Sequence, residues 1–259
     1  MEPTLRVLIL GGTGDAAALA QALAADERVS ITSSLAGRVA RPALPIGKVR
    51  VGGFGGAAGL AAYLRAERID AVIDATHPFA ARISANAADA CTRTGLPLIA
   101  LERAAWAPLA ADRWHAVNDA SAAAQLAPAL GRRIFLTTGR QDLAAFAACG
   151  TCWFLIRTID PPHGPLPPAS ELIIGRGPFR LADEIALMRA YGIDLVVSKN
   201  SGGSATYAKI EAARALGIPI VMIERPARPP VHGVASIAAV VEWTAARCTN
   251  AQAGAPVRP

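Results

Sequence analysis

The residues best suited to chemistry in this chain stand in short polar turns that come after apolar runs. Gly11-Gly12-Thr13-Gly14 comes directly after the run at 6–10 and before an alanine-rich segment at 15–25. A glycine turn between strand and helix lets the backbone approach a pyrophosphate, while the helix N-terminus offers unpaired N–H groups and positive dipole charge. The spacing departs from G-x-G-x-x-G, and a glycine turn kept for packing alone gives the same pattern. The second apolar run ends in Ile31-Thr32-Ser33-Ser34-Leu35-Ala36-Gly37-Arg38. An NAD site usually offers a carboxylate here. Hydroxyls at Ser33 and Ser34 with the Arg38 guanidinium suit a 2′-phosphate better, which favours NADPH, and a solvated strand end is the plain alternative.

Further turns repeat this layout. Asp74-Ala75-Thr76-His77-Pro78-Phe79-Ala80 comes after a strand-like run, and Thr76 is placed to cap the next helix. His77 is a candidate proton donor, a candidate ligand contact, or a packed turn histidine. Ser198-Lys199-Asn200-Ser201-Gly202-Gly203 presents one of only three lysines beside several hydrogen-bond donors, as an anion site would, or as a surface turn would. Thr137-Thr138-Gly139-Arg140 offers an arginine able to clamp phosphate or carboxylate, and Glu224-Arg225-Pro226 and Gly177-Pro178-Phe179 are weaker strand-end motifs. Together they point to a cationic ligand cleft. Cys149-Gly150-Thr151-Cys152 has redox or zinc spacing, but no second pair or histidine cluster accompanies it, so no metal site is expected. No G-x-S-x-G elbow supports a hydrolase.

Composition narrows the classes. With 259 residues, 53% hydrophobic and 18% charged, the chain has material for a packed core and is not disordered as a whole. No apolar run approaches the roughly 18–20 residues of a membrane span. A formal charge of +6 favours an anionic partner, yet the arginines are dispersed and aromatics are only 5%, which argues against nucleic acid. Four scattered cysteines and a start without a secretory signal lead to the expectation of a cytoplasmic protein.

These turns must be positioned by strands alternating with helices, which implies parallel sheets. Strands are expected at 6–10, 29–33, 70–74, 98–101, 134–137, 154–157, 195–198 and 218–223. Helices are expected at 15–25, 57–68, 79–94, after Arg140, and at 181–191, 205–216 and 236–246. The prolines at 161, 162, 165, 167 and 168 exclude regular structure there. Ile69-Asp70-Ala71-Val72-Ile73 is echoed by Ile193-Asp194-Leu195-Val196-Val197, and Gly95-Leu96-Pro97-Leu98-Ile99 by Gly217-Ile218-Pro219-Ile220-Val221, at offsets of 124 and 122 residues. Duplicated halves are therefore expected. The predicted division is residues 1–130 binding cofactor, 131–247 binding substrate, and 248–259 as a flexible tail.

Taken in order, the 9–16, 74–80, 138–140, 197–203 and 223–226 motifs resemble those of the precorrin-6A reductases of cobalamin biosynthesis, a family that includes cobalt-precorrin-6A reductases. The resemblance runs through nearly the whole chain, except the tail and the Cys149–Cys152 pair. It implies an α/β protein of two Rossmann-like domains, parallel sheets flanked by helices, with a ligand cleft between them. It also implies NADPH-dependent reduction of one double bond in a methylated, polycarboxylate tetrapyrrole, precorrin-6A, to give precorrin-6B, with transient contact to neighbouring pathway enzymes. On this basis the cofactor residues are Gly11, Gly12, Thr13, Gly14, Ser33, Ser34, Arg38 and Thr76. The substrate residues are Arg140, Lys199, Asn200, Ser201, Gly202 and Arg225, and His77 and Lys199 are the candidate acids. The competing classes are an NADP-binding sensor and a reductase of another polyanion.

Overall fold

The computed structural model describes residues 4–37 and 44–252, with side chains through 249. The chain forms two compact units, one of residues 1–103 and 227–259, the other of residues 104–226. Each is a six-stranded, fully parallel sheet flanked by helices, the expected fold class.

In the first unit the sheet order is β12-β5-β4-β1-β2-β3. Its strands are β1 (Leu5–Leu10), β2 (Val29–Leu35), β3 (Lys48–Val51), β4 (Ala71–Asp74), β5 (Leu98–Leu101) and β12 (Gly233–Val234). β1 reads Leu-Arg-Val-Leu-Ile-Leu and is buried at every position but Arg6, as a central strand covered on both faces must be. One face packs α1 (Gly14–Leu23) and α7 (Ile237–Gln252) over Val7, Ile9, Ile31 and Ile73. The other packs α2 (Gly56–Ala66) and α3 (Ala81–Thr94) over Leu8, Leu10 and Val72.

In the second unit the order is β6-β11-β10-β7-β8-β9. Its elements are β6 (Trp114–Val117), α4 (Ala120–Leu130), β7 (Arg133–Leu136), β8 (Trp153–Thr158), β9 (Ser170–Ile174), α5 (Leu181–Ala190), β10 (Leu195–Lys199), α6 (Ala208–Leu216) and β11 (Ile220–Ile223). Phe135, Leu155, Val196 and Met222 form its core with Met188 of α5 and Ile210 of α6. Where a helix is expected after Arg140, the chain makes only a four-residue 3-10 turn, Leu143–Phe146.

The sequence repeat has a structural cause. β4 and β10 hold the same place in their sheets, and each begins after an aspartate that accepts backbone N–H groups from the neighbouring strand. Asp70 takes the Arg6 amide at 2.8 Å and Asp194 the Arg133 amide at 2.8 Å. Gly95 and Gly217 end α3 and α6 at φ 67°, a left-handed conformation that favours glycine. Two residues on, the Pro97 and Pro219 carbonyls accept the Val72 and Val196 amides at 3.0 and 3.1 Å.

The expected division at 130/131 is corrected. β6 and α4 belong to the second unit, because β6 pairs with β11, and β12 returns to the first unit to pair with β5. Each run of five strands thus gives the next strand in the chain to the other sheet. The tail is corrected too: α7 continues to Gln252, and Cys248 is buried in the first unit's core. Among the described residues, no helix is long and apolar enough to cross a membrane.

Candidate functional site

In a parallel sheet the strand C-termini share one edge, where ligands bind in open α/β folds. At that edge of the first unit, Gly11 donates its amide to the Ser34 carbonyl at 3.0 Å. Gly12 has φ 101°, so its conformation requires glycine. Thr13 caps α1: its hydroxyl accepts from the Ala16 amide at 3.0 Å and donates to the Ala75 carbonyl at 2.9 Å, tying the turn to the end of β4. Gly14 is exposed, has no left-handed φ, and has no atom within 4 Å of where a Cβ would stand. Nothing internal demands glycine there, and its bare surface leaves the α1 N-terminus open to close approach by a ligand.

The other expected cofactor residues sit unevenly. Ser33 is 2% exposed and its hydroxyl has no partner among the described residues. Ser34 accepts from Arg50 at 2.9 Å. Arg38 lies outside the described residues. Thr76 does not cap α3, whose N-cap is Ala80. Its hydroxyl bonds Asp74 at 2.6 Å and accepts from Arg228 at 3.1 Å. Arg228 also reaches Asp74 at 3.2 Å and Ser84 at 2.6 Å, binding the β4 end to α3. His77 accepts the Phe79 amide on Nδ1 at 3.2 Å, which places the proton of the neutral ring on Nε2.

At the matching edge of the second unit, Thr137 ties β7 to β10 through the Val197 carbonyl at 2.9 Å. Thr138 is 5% exposed, with a hydroxyl unpartnered among the described residues, Gly139 has φ 80°, and Arg140 is half-buried. Lys199 ends β10 in an ion pair with Asp142. Asn200 is buried and spoken for: its Oδ1 accepts the Trp106 amide at 2.8 Å and its Nδ2 donates to the Trp106 carbonyl at 3.1 Å. Arg225 donates to the Asn200 and Ser201 carbonyls at 2.9 and 3.2 Å. A Cβ on Gly202 would lie 2.1 Å from the Ala104 carbonyl oxygen. Asn200, Gly202 and Arg225 therefore build the turn that presents Lys199 and Ser201.

Beneath this turn lies a buried charge cluster that sequence reasoning missed. Arg157 and Glu184 form a bidentate pair, 2.9 Å at Nη2–Oε2. Lys209 of α6 donates to the Thr206 carbonyl at 2.9 Å and sits 5.0 Å from the centre of the Trp106 ring. Burial, with the nearby Arg157 charge, pushes its ammonium down to about 7, against the opposing pull of Glu184. Cys149 and Cys152 point at different carbonyls, those of Ala124 and Gly131. Burial raises the Cys149 thiol above its ordinary range. Among the described residues no group of three histidine, cysteine or acidic side chains is arranged to hold a metal.

The family model for Precorrin-6x reductase CbiJ/CobK matches residues 6–245. The chain belongs to this family. It is 57% identical to a precorrin-6A reductase of Rhodococcus erythropolis, covering 92% of this chain and 96% of that one. It is 31% identical to a cobalt-precorrin-6A reductase of Salmonella typhimurium, covering 85% and 87%. A solved structure, "CobK precorrin-6A reductase", superposes with a TM-score of 0.88 at 44% identity over 98% of this chain and 99% of that one. Membership makes the protein a precorrin-6A reductase of cobalamin biosynthesis, and reduction by this family implies a nicotinamide cofactor. The open surface at Gly12 and Gly14, the capped α1 and the unpartnered Ser33 hydroxyl fit such a cofactor in the first unit.

Proposed function

We propose that the protein reduces one double bond of the precorrin-6A macrocycle with NADPH, giving precorrin-6B, with cofactor held by the first unit and substrate carboxylates by the second. The observation that carries the cofactor half is the 11–14 turn, where Gly14 is free of any internal need for glycine. The β2 end adds hydroxyls where an NAD site would carry a carboxylate.

When bound, the nicotinamide supplies a hydride to a carbon of the macrocycle. The protein's own residues do the rest. The 11–14 turn and the first amides of α1 hold the pyrophosphate, and Thr13 fixes that turn against β4. Thr76 is locked by Asp74 and Arg228, which sets the direction of the adjacent His77. His77, whose Nδ1 accepts the Phe79 amide, turns Nε2–H toward the substrate as a hydrogen-bond donor, and the proton that completes the reduction is drawn from solvent. Arg140, Lys199 and Ser201 bind carboxylates. A substrate carboxylate competes with Asp142 for Lys199.

The test is anaerobic mixing of protein, NADPH and metal-free precorrin-6A, tracking absorbance of both NADPH and tetrapyrrole. Stoichiometric NADPH loss with a matching tetrapyrrole change supports the reading. NADPH binding without turnover of either the metal-free or the cobalt-bound substrate contradicts it and favours an NADP-binding sensor.

A further inference from the structure

The end of β3 carries a cation that the sequence motifs do not mark. Arg50 pairs in register with Ser34 across β2 and β3, so the two side chains stand on the same face at the same height. Its Nη1 donates to Ser34 Oγ and to the Gly52 carbonyl, both at 2.9 Å, and its Nη2 donates to the Gly53 carbonyl at 3.1 Å. The guanidinium carbon lies 3.8 Å from the centre of the Phe54 ring and 5.1 Å from that of Tyr63.

These contacts fix the guanidinium without neutralising it, since they join it to a hydroxyl, carbonyls and ring faces rather than to a carboxylate. Among the described residues they leave Nε–H and the second Nη2 hydrogen for a ligand. Ser34 is oriented in turn: accepting from Arg50, its hydroxyl directs its own hydrogen elsewhere. The loop beyond is open. No atom lies within 4 Å of a Cβ built on Gly52, Gly53, Gly55 or Gly56, and Gly53 has no left-handed φ to explain its glycine. A fixed planar cation, an oriented hydroxyl and a bare backbone surface are the parts of a phosphate site.

We infer that Arg50, with the Ser34 hydroxyl, binds the 2′-phosphate of the dinucleotide and sets the preference for NADPH over NADH. This rests on the reading that the first unit holds an NADP-type cofactor. Arg50 is reached from β3 and is distinct from Arg38, the cation expected after β2.

The test is equilibrium titration of the full chain with adenosine 2′,5′-bisphosphate against 5′-AMP, and with NADPH against NADH. Wild type, Arg50→Met and Arg50→Lys are compared after melting curves establish that each is folded. Wild type is expected to favour the 2′-phosphorylated ligand of each pair by at least about tenfold, the scale of one charge-assisted contact. Arg50→Met loses most of that ratio, and Arg50→Lys recovers part of it. If wild type discriminates and Arg50→Met discriminates equally well, the inference falls while the cofactor reading stands. Equal weakening of all four ligands by Arg50→Met reduces Arg50 to a support for its loop and also overturns the inference. If wild type shows no discrimination, the NADPH reading falls and takes this inference with it.

Discussion

The strand-end turns of the two units are built on equivalent scaffolds and carry different groups. After β1 the 11–14 turn opens into a ten-residue helix capped by Thr13, with exposed glycines at its start. After β7 the 137–140 turn leads only into a four-residue 3-10 turn, and the polar groups there are the side chains of Thr138, Arg140 and Lys199. The first arrangement offers aligned backbone amides and a helix dipole, which suit a pyrophosphate. The second offers charges on long side chains, which suit several carboxylates at different places on one large substrate. In the proposed reading the same sheet serves two kinds of anion, according to whether a capped helix follows β1 or a side-chain-bearing turn follows β7.

That contrast can be broken at either turn. The largest effect is expected from Gly14→Leu, whose Cβ would have no atom within 4 Å and whose backbone lies outside the left-handed region. NADPH affinity should fall by about a hundredfold or more while the melting temperature moves by only about 2 °C, since the new side chain fills ligand space alone. A large loss of stability with unchanged affinity would place the glycine in packing instead. Next is Lys199→Ala, expected to raise KM for the tetrapyrrole about tenfold with NADPH affinity within about twofold. Equal loss of both affinities would end the division of labour.

The last effect falls on stability rather than on binding, beneath the second turn. Lys209 carries its charge less readily when folded, at about 7 against 10.5, so between those values the unfolded chain binds more protons and the group's contribution to stability rises with pH. Below about 7 the cost of the buried charge is complete. Relative to wild type, Lys209→Met should therefore be favoured most below pH 7 and lose ground by about 1.4 kcal/mol for each pH unit between about 7 and 10.5, while the lost hydrogen bond to the Thr206 carbonyl offsets its advantage equally at every pH. Denaturant unfolding across pH measures this, and a difference independent of pH would contradict it.

Much of this was legible in the sequence because the central strands are continuous apolar runs, each punctuated by the turn that carries its chemistry. The strands it concealed are β3, β6, β9 and β12. All four lie at sheet edges and pair on one side only, so runs such as Lys48-Val49-Arg50-Val51 have no need to be apolar throughout. With β6 and β12 unseen, the division of the chain was misplaced. At the sites, residue type did not distinguish a side chain that meets a ligand from one that shapes the turn. Asn200 and Arg225 have the chemistry of ligand residues and spend it on the chain's own backbone. Arg228 was hidden for another reason: its partner Asp74 is 154 residues away, beyond any local pattern.

The division of labour is tested most directly by hydrogen exchange of the wild-type chain with and without saturating NADPH, in the absence of tetrapyrrole. The account predicts that amides of the 11–17 segment and of the β2 and β3 ends slow in exchange, while those at 137–140 and 199–203 keep their rates. Protection confined to the second unit's turns, with the 11–17 amides unchanged, would contradict it.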